Sequence, residues 1–283
     1  MNLILNWYYS RSYQLRDSIE FSLFIFTIIS TIFTILGVSL SVIEDFGILI
    51  KFGTLILCFL VLVGLSYFAI GKFYREKVCL NINQNLVDIR YGNLFEVDGW
   101  KVIGCDTHFD TRIDDSVISK KSLHGQLILN HGNIDDINVL VKEEAERLKL
   151  KCNKDGLYSF PLGTVIRYDS SYDHQTYLMF SMTELNSRNE AYTNMVEFIN
   201  TLSTMWKEIN RVYASHDIVI PVLGTGISRF DGNKNEEELL KAMLYTLYIS
   251  RVKFNSRIKI VIYGNERKLS LYEYKRSFSN LLR

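Results

Sequence analysis

Two long stretches near the start of the chain carry no charged residue, and they constrain it more than any other feature. Phe21 to Ile43 runs 23 residues without Asp, Glu, Lys or Arg, and Phe52 to Ile70 runs 19. An α-helix rises about 1.5 Å per residue and a bilayer core is about 30 Å thick, so about 20 apolar residues cross it. Both stretches meet that length. Buried helices of a soluble core are the competing reading, but these rarely run so far without a charge. A cleaved signal is disfavoured by the length of the first stretch, by the second following directly, and by the lack of any alanine before Ala69.

The sequence therefore predicts an N-terminal segment over 1–20, two transmembrane helices over about 21–43 and 52–70, and one domain over 71–283. Arg11 and Arg16 precede the first stretch, Lys72, Arg75 and Lys77 follow the second, and the connector carries Glu44 and Asp45, with Lys51 at its far edge. Basic residues favour the cytoplasmic side, so the expectation is a multi-pass protein of the inner (plasma) membrane with both termini in the cytoplasm. Gly53 and Gly64 are small enough to allow close helix approach within the bilayer.

Composition excludes several function classes. With 32 basic against 31 acidic residues, the net charge is +1. That leaves no general electrostatic drive towards nucleic acid, whose affinity comes largely from phosphate neutralisation. The two prolines, Pro161 and Pro221, give no proline-rich linker. The four cysteines are scattered, with no Cys-x-x-Cys and no His-x-x-x-His, so neither a disulfide scaffold nor a structural zinc site is expected. Free thiols suit a reducing compartment.

The remaining roughly 210 residues are enough for one domain with its own core. Strands are predicted at 77–82, 86–91, 101–104, 165–168, 177–181, 217–223 and 258–263. Helices are predicted over 135–150, 187–213 and 235–249. In the second of these, Met195, Phe198, Ile199, Leu202, Met205, Trp206, Ile209 and Val212 recur at spacings of three and four, a buried stripe with no cofactor role. Short apolar strands alternating with helices mean a sheet covered on both faces.

Three segments carry chemistry. Pro221 to Phe230 reads PVLGTGISRF, a buried strand ending in Gly-Thr-Gly. Ligands in open α/β sheets bind beyond the carboxyl ends of strands, where glycines let backbone N–H groups approach a phosphate. The same tripeptide also serves as an ordinary turn, and it is neither a Walker loop nor a dinucleotide fingerprint. Gly104 to Thr111 follows a short apolar run with Cys105, Asp106, Thr107, His108 and Asp110, either the polar rim of a ligand site or a turn in which the aspartates cap backbone donors. Ser119 to Gln126 is either a loop around a phosphate or ribose or a helix cap by Ser119 or Ser122. Pairing His124 with Asp114 and Asp115, or Cys105 with His108, gives no catalytic dyad with a third orienting group.

Together the three segments resemble a macro domain, the ADP-ribose-binding module, in order over Val87 to Tyr263. Gly92-Asn93-Leu94-Phe95 stands where that family has Gly-Asp-Ile-Thr, so Asn93 takes the adenine-contacting position with an amide. Val97 to Ile103 resembles the strand entry that follows. Cys105 to His108 stands in place of Asn-Ala-Ala-Asn, and Ile220 to Phe230 resembles the phosphate loop. The resemblance implies a three-layer α/β/α fold with a mixed sheet behind the transmembrane hairpin. It implies a ligand site of Asn93, Leu94, Asp106, Thr107, His108, Phe109, Ser122, Leu123, His124, Gly125, Gln126, Gly224, Thr225, Gly226, Ile227, Ser228, Arg229 and Phe230. In that site Gly224 to Phe230 and Arg229 hold the diphosphate, Asp106 to His108 line the distal ribose or its adduct, and Phe109 and Phe230 supply apolar walls. No metal, cofactor or catalytic residue is implied, because the asparagines that orient ribose and water in hydrolytic members are absent.

Two spans with a divergent macro domain resemble the membrane-anchored effectors of Thoeris anti-phage defence. The blocks Phe109-Asp110-Thr111 and Ser122 to Gln126 carry that likeness further. It implies a partner TIR-domain enzyme that consumes NAD, a messenger that is an ADP-ribose conjugate (histidine-ADP-ribose), and oligomerisation with membrane disruption and cell death. A membrane-tethered ADP-ribosyl or NAD-metabolite hydrolase, with Asp106, His108, Asp110 or His124 activating water, and a ligand-free membrane scaffold are the alternatives.

Overall fold

The computed structural model describes residues 12–35, 47–113, 118–154, 156–185, 191–225, 229–230, 235–263 and 271–281. In chain order the elements are α1 (Ser12–Ile35), α2 (Ile48–Phe73), β1 (Lys77–Ile82), β2 (Asn85–Tyr91), β3 (Trp100–Asp106), α3 (Leu123–Gln126) and α4 (Ile134–Arg147). They continue as β4 (Val165–Asp169), β5 (Thr176–Leu185), β6 (Ala191–Thr193), α5 (Met195–Val212), β7 (Ile218–Pro221), β8 (Arg229–Phe230), α6 (Glu236–Ser250), β9 (Ile258–Ile262) and α7 (Leu271–Leu281). The chain divides into two compact units, 1–78 with 267–283, and 79–266.

In the first unit, α1 and α2 form an antiparallel hairpin held by a polar seam. Gln14, Ser18 and Ser22 recur every fourth residue on α1 and are buried. Gln14 Nε2 donates to the Tyr67 carbonyl at 2.9 Å, and the Ser22 and Ser66 hydroxyls meet at 3.1 Å. Gly71 makes room for this, since a Cβ there would lie 2.8 Å from Gln14 Nε2. Gly53 and Gly64 face open space within the single chain. Both helices are long and apolar enough to cross a membrane, over Tyr13–Ile35 and Phe52–Phe73. Their large side chains are not a hidden core: Phe24, Leu49 and Phe68 are 61%, 84% and 75% exposed. The first helix is described from nine residues before Phe21, and 36–46 lie outside the described residues. The last helix, α7, falls in this first unit.

The second unit is built on a mixed sheet with strand order β1-β2-β9-β7-β3-β5-β6-β8, and β4 beside β5. The pairs β2–β9, β9–β7, β7–β3 and β3–β5 are parallel, while β4 and β6 run antiparallel to β5. Between β1 and β2, Asn83 and Gln84 have φ of +49° and +69°, the conformation of a two-residue hairpin turn. Strand alternation sends Ile103, Tyr168, Tyr177, Met179, Val219 and Val261 into one core, where they pack with Leu127 of the turn after α3 and with Ile137, Val141 and Ala145 of α4. Val102, Leu178, Ile220 and Ile260 point the other way and are also fully buried. On that side α5 and α6 pack together, with Trp206 Nε1 donating to Thr246 Oγ1 at 3.1 Å. The result is the expected three layers.

One expected element divides. The helix predicted over 187–213 begins at Met195, because Asn194 caps it by accepting from the Glu197 N–H at 2.9 Å. Residues 191–193 pair with β5 and β8 as β6 instead, and 186–190 lie outside the described residues. Asn133 and Asn235 cap α4 and α6 in the same way.

Trp206 is fully buried and bridges α5 to α6. Trp206→Ala should cost about 3–5 kcal/mol and lower the Tm of the full chain in detergent, whereas Val196→Ala, at an exposed site, should change stability by less than about 0.5 kcal/mol.

Candidate functional site

Parallel pairing brings the ends of β2, β9, β7, β3 and β5 to one edge. Gly92 N–H donates to the Ile262 carbonyl, Val222 N–H to Val261, and Thr107 N–H to Thr183, so the loops after β2, β7 and β3 leave side by side. This is the edge at which open α/β sheets bind ligands.

The loop after β3 is the most constructed. Asp106 Oδ1 accepts the His108 N–H at 2.7 Å, an Asx turn that closes the strand end. His108 Nδ1–H donates to the Tyr158 carbonyl at 2.7 Å, and Phe160 N–H donates to the Thr107 carbonyl at 2.8 Å. The segment around Tyr158 and Phe160 therefore holds the turn from below, a support the sequence reading did not find. Phe109 takes φ +49°, and its ring is buried edge-on to Phe160 at 5.1 Å. It is part of the core, so its side chain is not placed as a ligand wall. Leu94 is likewise buried in this core.

Asp110 accepts from Arg112 Nε with both oxygens, at 3.0 and 2.9 Å, and from the Arg112 N–H at 2.9 Å. Burial alone would raise its carboxyl, but the Arg112 donors outweigh that and hold it below the usual carboxylate range. Ser122 caps the short α3, accepting from Gly125 N–H at 3.0 Å and donating to the Ser119 carbonyl at 2.7 Å. The cap reading of this segment is thus realised. Gly125 is required for it, since a Cβ there would lie 2.3 Å from Ser119 O. Gln126 Nε2 donates to the Lys121 carbonyl at 3.0 Å, and Leu123 packs partly buried against the core.

The cap drives His124 inwards. The residue is 7% exposed, and the carboxylates that act on its ring are Asp106 and Asp110. Asp114 and Asp115 lie outside the described residues. Burial lowers the imidazole below its ordinary value of 6.5, and the two aspartates oppose this without reversing it, so the ring is neutral near pH 7. Cys105 makes no pair with His108. Its Sγ faces the Ile103 carbonyl at 3.6 Å, and burial, reinforced by Asp106, pushes its thiol well up, so it stays protonated.

Beyond β7, Gly224 turns with φ +84°, and Thr225 Oγ1 donates to the Val222 carbonyl at 2.9 Å. Gly226, Ile227 and Ser228 lie outside the described residues. The backbone of Arg229 and Phe230 pairs with β6. Asn93, half-buried beyond β2, accepts from Phe95 N–H at 3.2 Å and donates to Glu96 at 3.0 Å, capping a short 3-10 turn at Leu94–Glu96. The structure thus gathers Asp106, Thr107, His108, Asp110 and His124 into one cluster, with Asn93 and the Gly224 turn on the same edge. Among the described residues, no group of His, Cys, Asp and Glu is arranged to hold a metal.

A second polar cluster sits by the opposite ends of the strands. Asp173 accepts from Tyr177 Oη at 2.6 Å, from Gln175 N–H at 3.0 Å and from His131 Nδ1–H at 2.8 Å. Phe95 stacks on His131 at 4.6 Å. Its partners are internal, so it braces the loop of Tyr172 and His174.

Below about pH 6.5 the unfolded chain protonates His124 and the folded chain resists it, so stability falls as pH drops through that range. The Tm of the wild-type chain should fall more between about pH 7.5 and 5.5 than that of His124→Gln. Equal slopes would show that His124 is not held neutral.

The family described as "Thoeris protein ThsA, Macro domain" matches residues 87–263. Thoeris protein ThsA of Bacillus amyloliquefaciens (strain Y2) is 33% identical over 229 residues, covering 76% of this chain and 77% of that protein. Among solved structures, a point mutant of the Oceanobacillus iheyensis macrodomain superposes with a TM-score of 0.49 at 14% identity, covering 74% of this chain and 95% of that one. A second mutant of the same macrodomain, solved with ADPR, gives 0.49 at 13% identity, covering 73% and 100%.

Proposed function

The chain belongs to the Thoeris ThsA macro-domain family, and on that premise we propose that it is a membrane-anchored effector of anti-phage defence whose sheet-edge site binds an ADP-ribose conjugate, histidine-ADP-ribose, made by a partner TIR-domain enzyme. The observation that carries the reading is the pairing of two unlike surfaces on one edge. The Gly224 turn offers backbone to a diphosphate, as glycine turns at strand ends do. The cluster around His124 offers the buried Asp106 carboxylate, which accepts hydrogen bonds and repels phosphate, while Asp110 beside it is paired with Arg112. Carboxylates suit ribose hydroxyls and the amine of an attached amino acid. A ligand with phosphate at one end and such donors at the other matches both.

Two features support sensing over hydrolysis. The asparagines of hydrolytic macro domains are replaced by Cys105 and His108. Asp110 is occupied by Arg112, and His108 Nδ1 by Tyr158, which removes two of the four candidate water activators from easy use. The anchoring half rests on the exposed apolar faces of α1 and α2, a surface too large and continuous for water. With Arg16 in the outermost turns of the first span, Lys72 at the end of the second and Arg75 and Lys77 beyond it, both termini lie in the cytoplasm of a multi-pass plasma-membrane protein. The hairpin has too few polar residues to line a pore alone, so activation assembles several copies and breaches the membrane.

Calorimetric titration of the full chain in detergent tests the site. Histidine-linked ADP-ribose should bind at least tenfold more tightly than ADP-ribose, with no new species by chromatography. Asp106→Asn should weaken the conjugate by about 10–100-fold, the loss of about 1.5–3 kcal/mol in charged hydrogen bonds. Equal affinity for both ligands would remove the conjugate assignment, and a product peak would move the chain to the hydrolase class.

A further inference from the structure

The C-terminal helix α7 takes no part in the sheet, yet four of its residues grip the hairpin. Tyr272 Oη donates to Asp17 Oδ2 at 2.5 Å. Arg276 reaches the same carboxylate from two sides, with Nε 2.6 Å from Oδ2 and a second nitrogen donating to Oδ1 at 3.0 Å. Glu273 accepts the backbone N–H groups of Gln14 and Tyr13 at 2.9 and 3.2 Å. Lys275 donates to Tyr74 Oη at 2.5 Å, and Tyr74 is the residue that ends α2.

These contacts are placed where they control the hairpin. The first turn of α1 has no acidic residue of its own, although the first N–H groups of any helix lack partners and favour a negative charge. Glu273 supplies that charge from the far end of the sequence. The Asp17 side chain is 11% exposed, and its charge is balanced chiefly by Arg276, with Tyr272 donating a hydrogen bond and Arg16 Nε farther off at 3.9 Å. α7 therefore holds the start of α1 and the end of α2 together. It is also joined to the ligand edge by chain. Eight residues, 263–270, separate it from Ile262 of β9, whose carbonyl is bonded at the edge that carries Asn93.

We propose that α7 is an autoinhibitory clamp: the Asp17–Tyr272–Arg276 cluster and the Glu273 cap hold the hairpin in its resting arrangement, and ligand binding at the sheet edge releases it. This rests on the reading of the chain as a ligand-gated membrane effector. A ligand shifts such an equilibrium only by its differential affinity for the two states, so weakening the clamp lowers the ligand needed, and removing it makes activation ligand-independent.

The test uses the full chain in vesicles of phosphatidylethanolamine and phosphatidylglycerol, read by dye release and by protease cutting within 263–281. Without ligand, Asp17→Asn and Arg276→Gln should each raise dye release at least tenfold and expose the segment to protease. The exchanged pair, Asp17→Arg with Arg276→Asp, should return both readouts towards wild type. Tyr272→Phe, which removes one hydrogen bond, should give a release about threefold above wild type and serves if the charge variants do not fold. Variants matching wild type in both readouts overturn the clamp. So does an exchanged pair that behaves like the singles, or single variants that stay silent with and without ligand. Wild-type vesicles that release no dye with histidine-linked ADP-ribose would refute the effector reading instead, while the protease readout would still judge the clamp.

Discussion

The parallel pairing of β2, β9, β7, β3 and β5 is the constraint on which the site depends. Parallel strands must be buried on both faces, and their carboxyl ends must emerge together. In this chain both follow from near-continuous apolar strands such as Ile218–Pro221 and Ile258–Ile262, every residue of which is buried or nearly so. Once those strands pair, the loops carrying Asn93, Asp106 and Gly224 have one edge to occupy. No loop needs to be long or specialised to meet the others.

The edge is also where the fold accepts unfavourable chemistry. Asp106, Thr107, Asp110 and His124 are all buried there, a concentration of polar groups that elsewhere in the sheet are confined to bracing contacts. Each is held for a nameable reason: Asp106 by the His108 N–H, Thr107 by its N–H bond to the Thr183 carbonyl, Asp110 by Arg112, and His124 by the Ser122 cap behind it. The neutral imidazole of His124 lies within electrostatic reach of the Asp106 and Asp110 carboxylates, a cluster able to form hydrogen bonds. Desolvation makes any such hydrogen bond stronger than it would be in water. The same low polarity is what the unliganded protein tolerates at a cost to stability.

Much of this was legible in the sequence. The apolar strands, the charge-ordered helix after Asp135 and the stripe from Met195 to Val212 follow directly from periodicity. The pattern after Pro221 falls on the edge where the carboxyl ends of the parallel strands emerge. The misreadings share one physical cause, which is that side-chain direction depends on contacts distant in sequence. Phe109 looked like a ligand wall because it stands among polar residues, but a positive φ turns it onto Phe160. The helix expected from Ser187 starts at Met195 because Asn194 caps it. The seam inside the hairpin runs through Gln14, Ser22, Ser66 and Gly71, a pattern that apolar periodicity does not show. The role of Tyr272, Glu273 and Arg276 was invisible, since their partners lie about 255 residues away near the start of the chain.

The central claim is that one chain joins a conjugate-binding sheet edge to a membrane-breaching hairpin. The most direct measurement is dye release from vesicles carrying the full chain, titrated with histidine-linked ADP-ribose beside ADP-ribose. The account predicts release that saturates over the same concentrations as conjugate binding and is absent with ADP-ribose at equal concentration. Saturated binding without release, or release indifferent to either ligand, would contradict it.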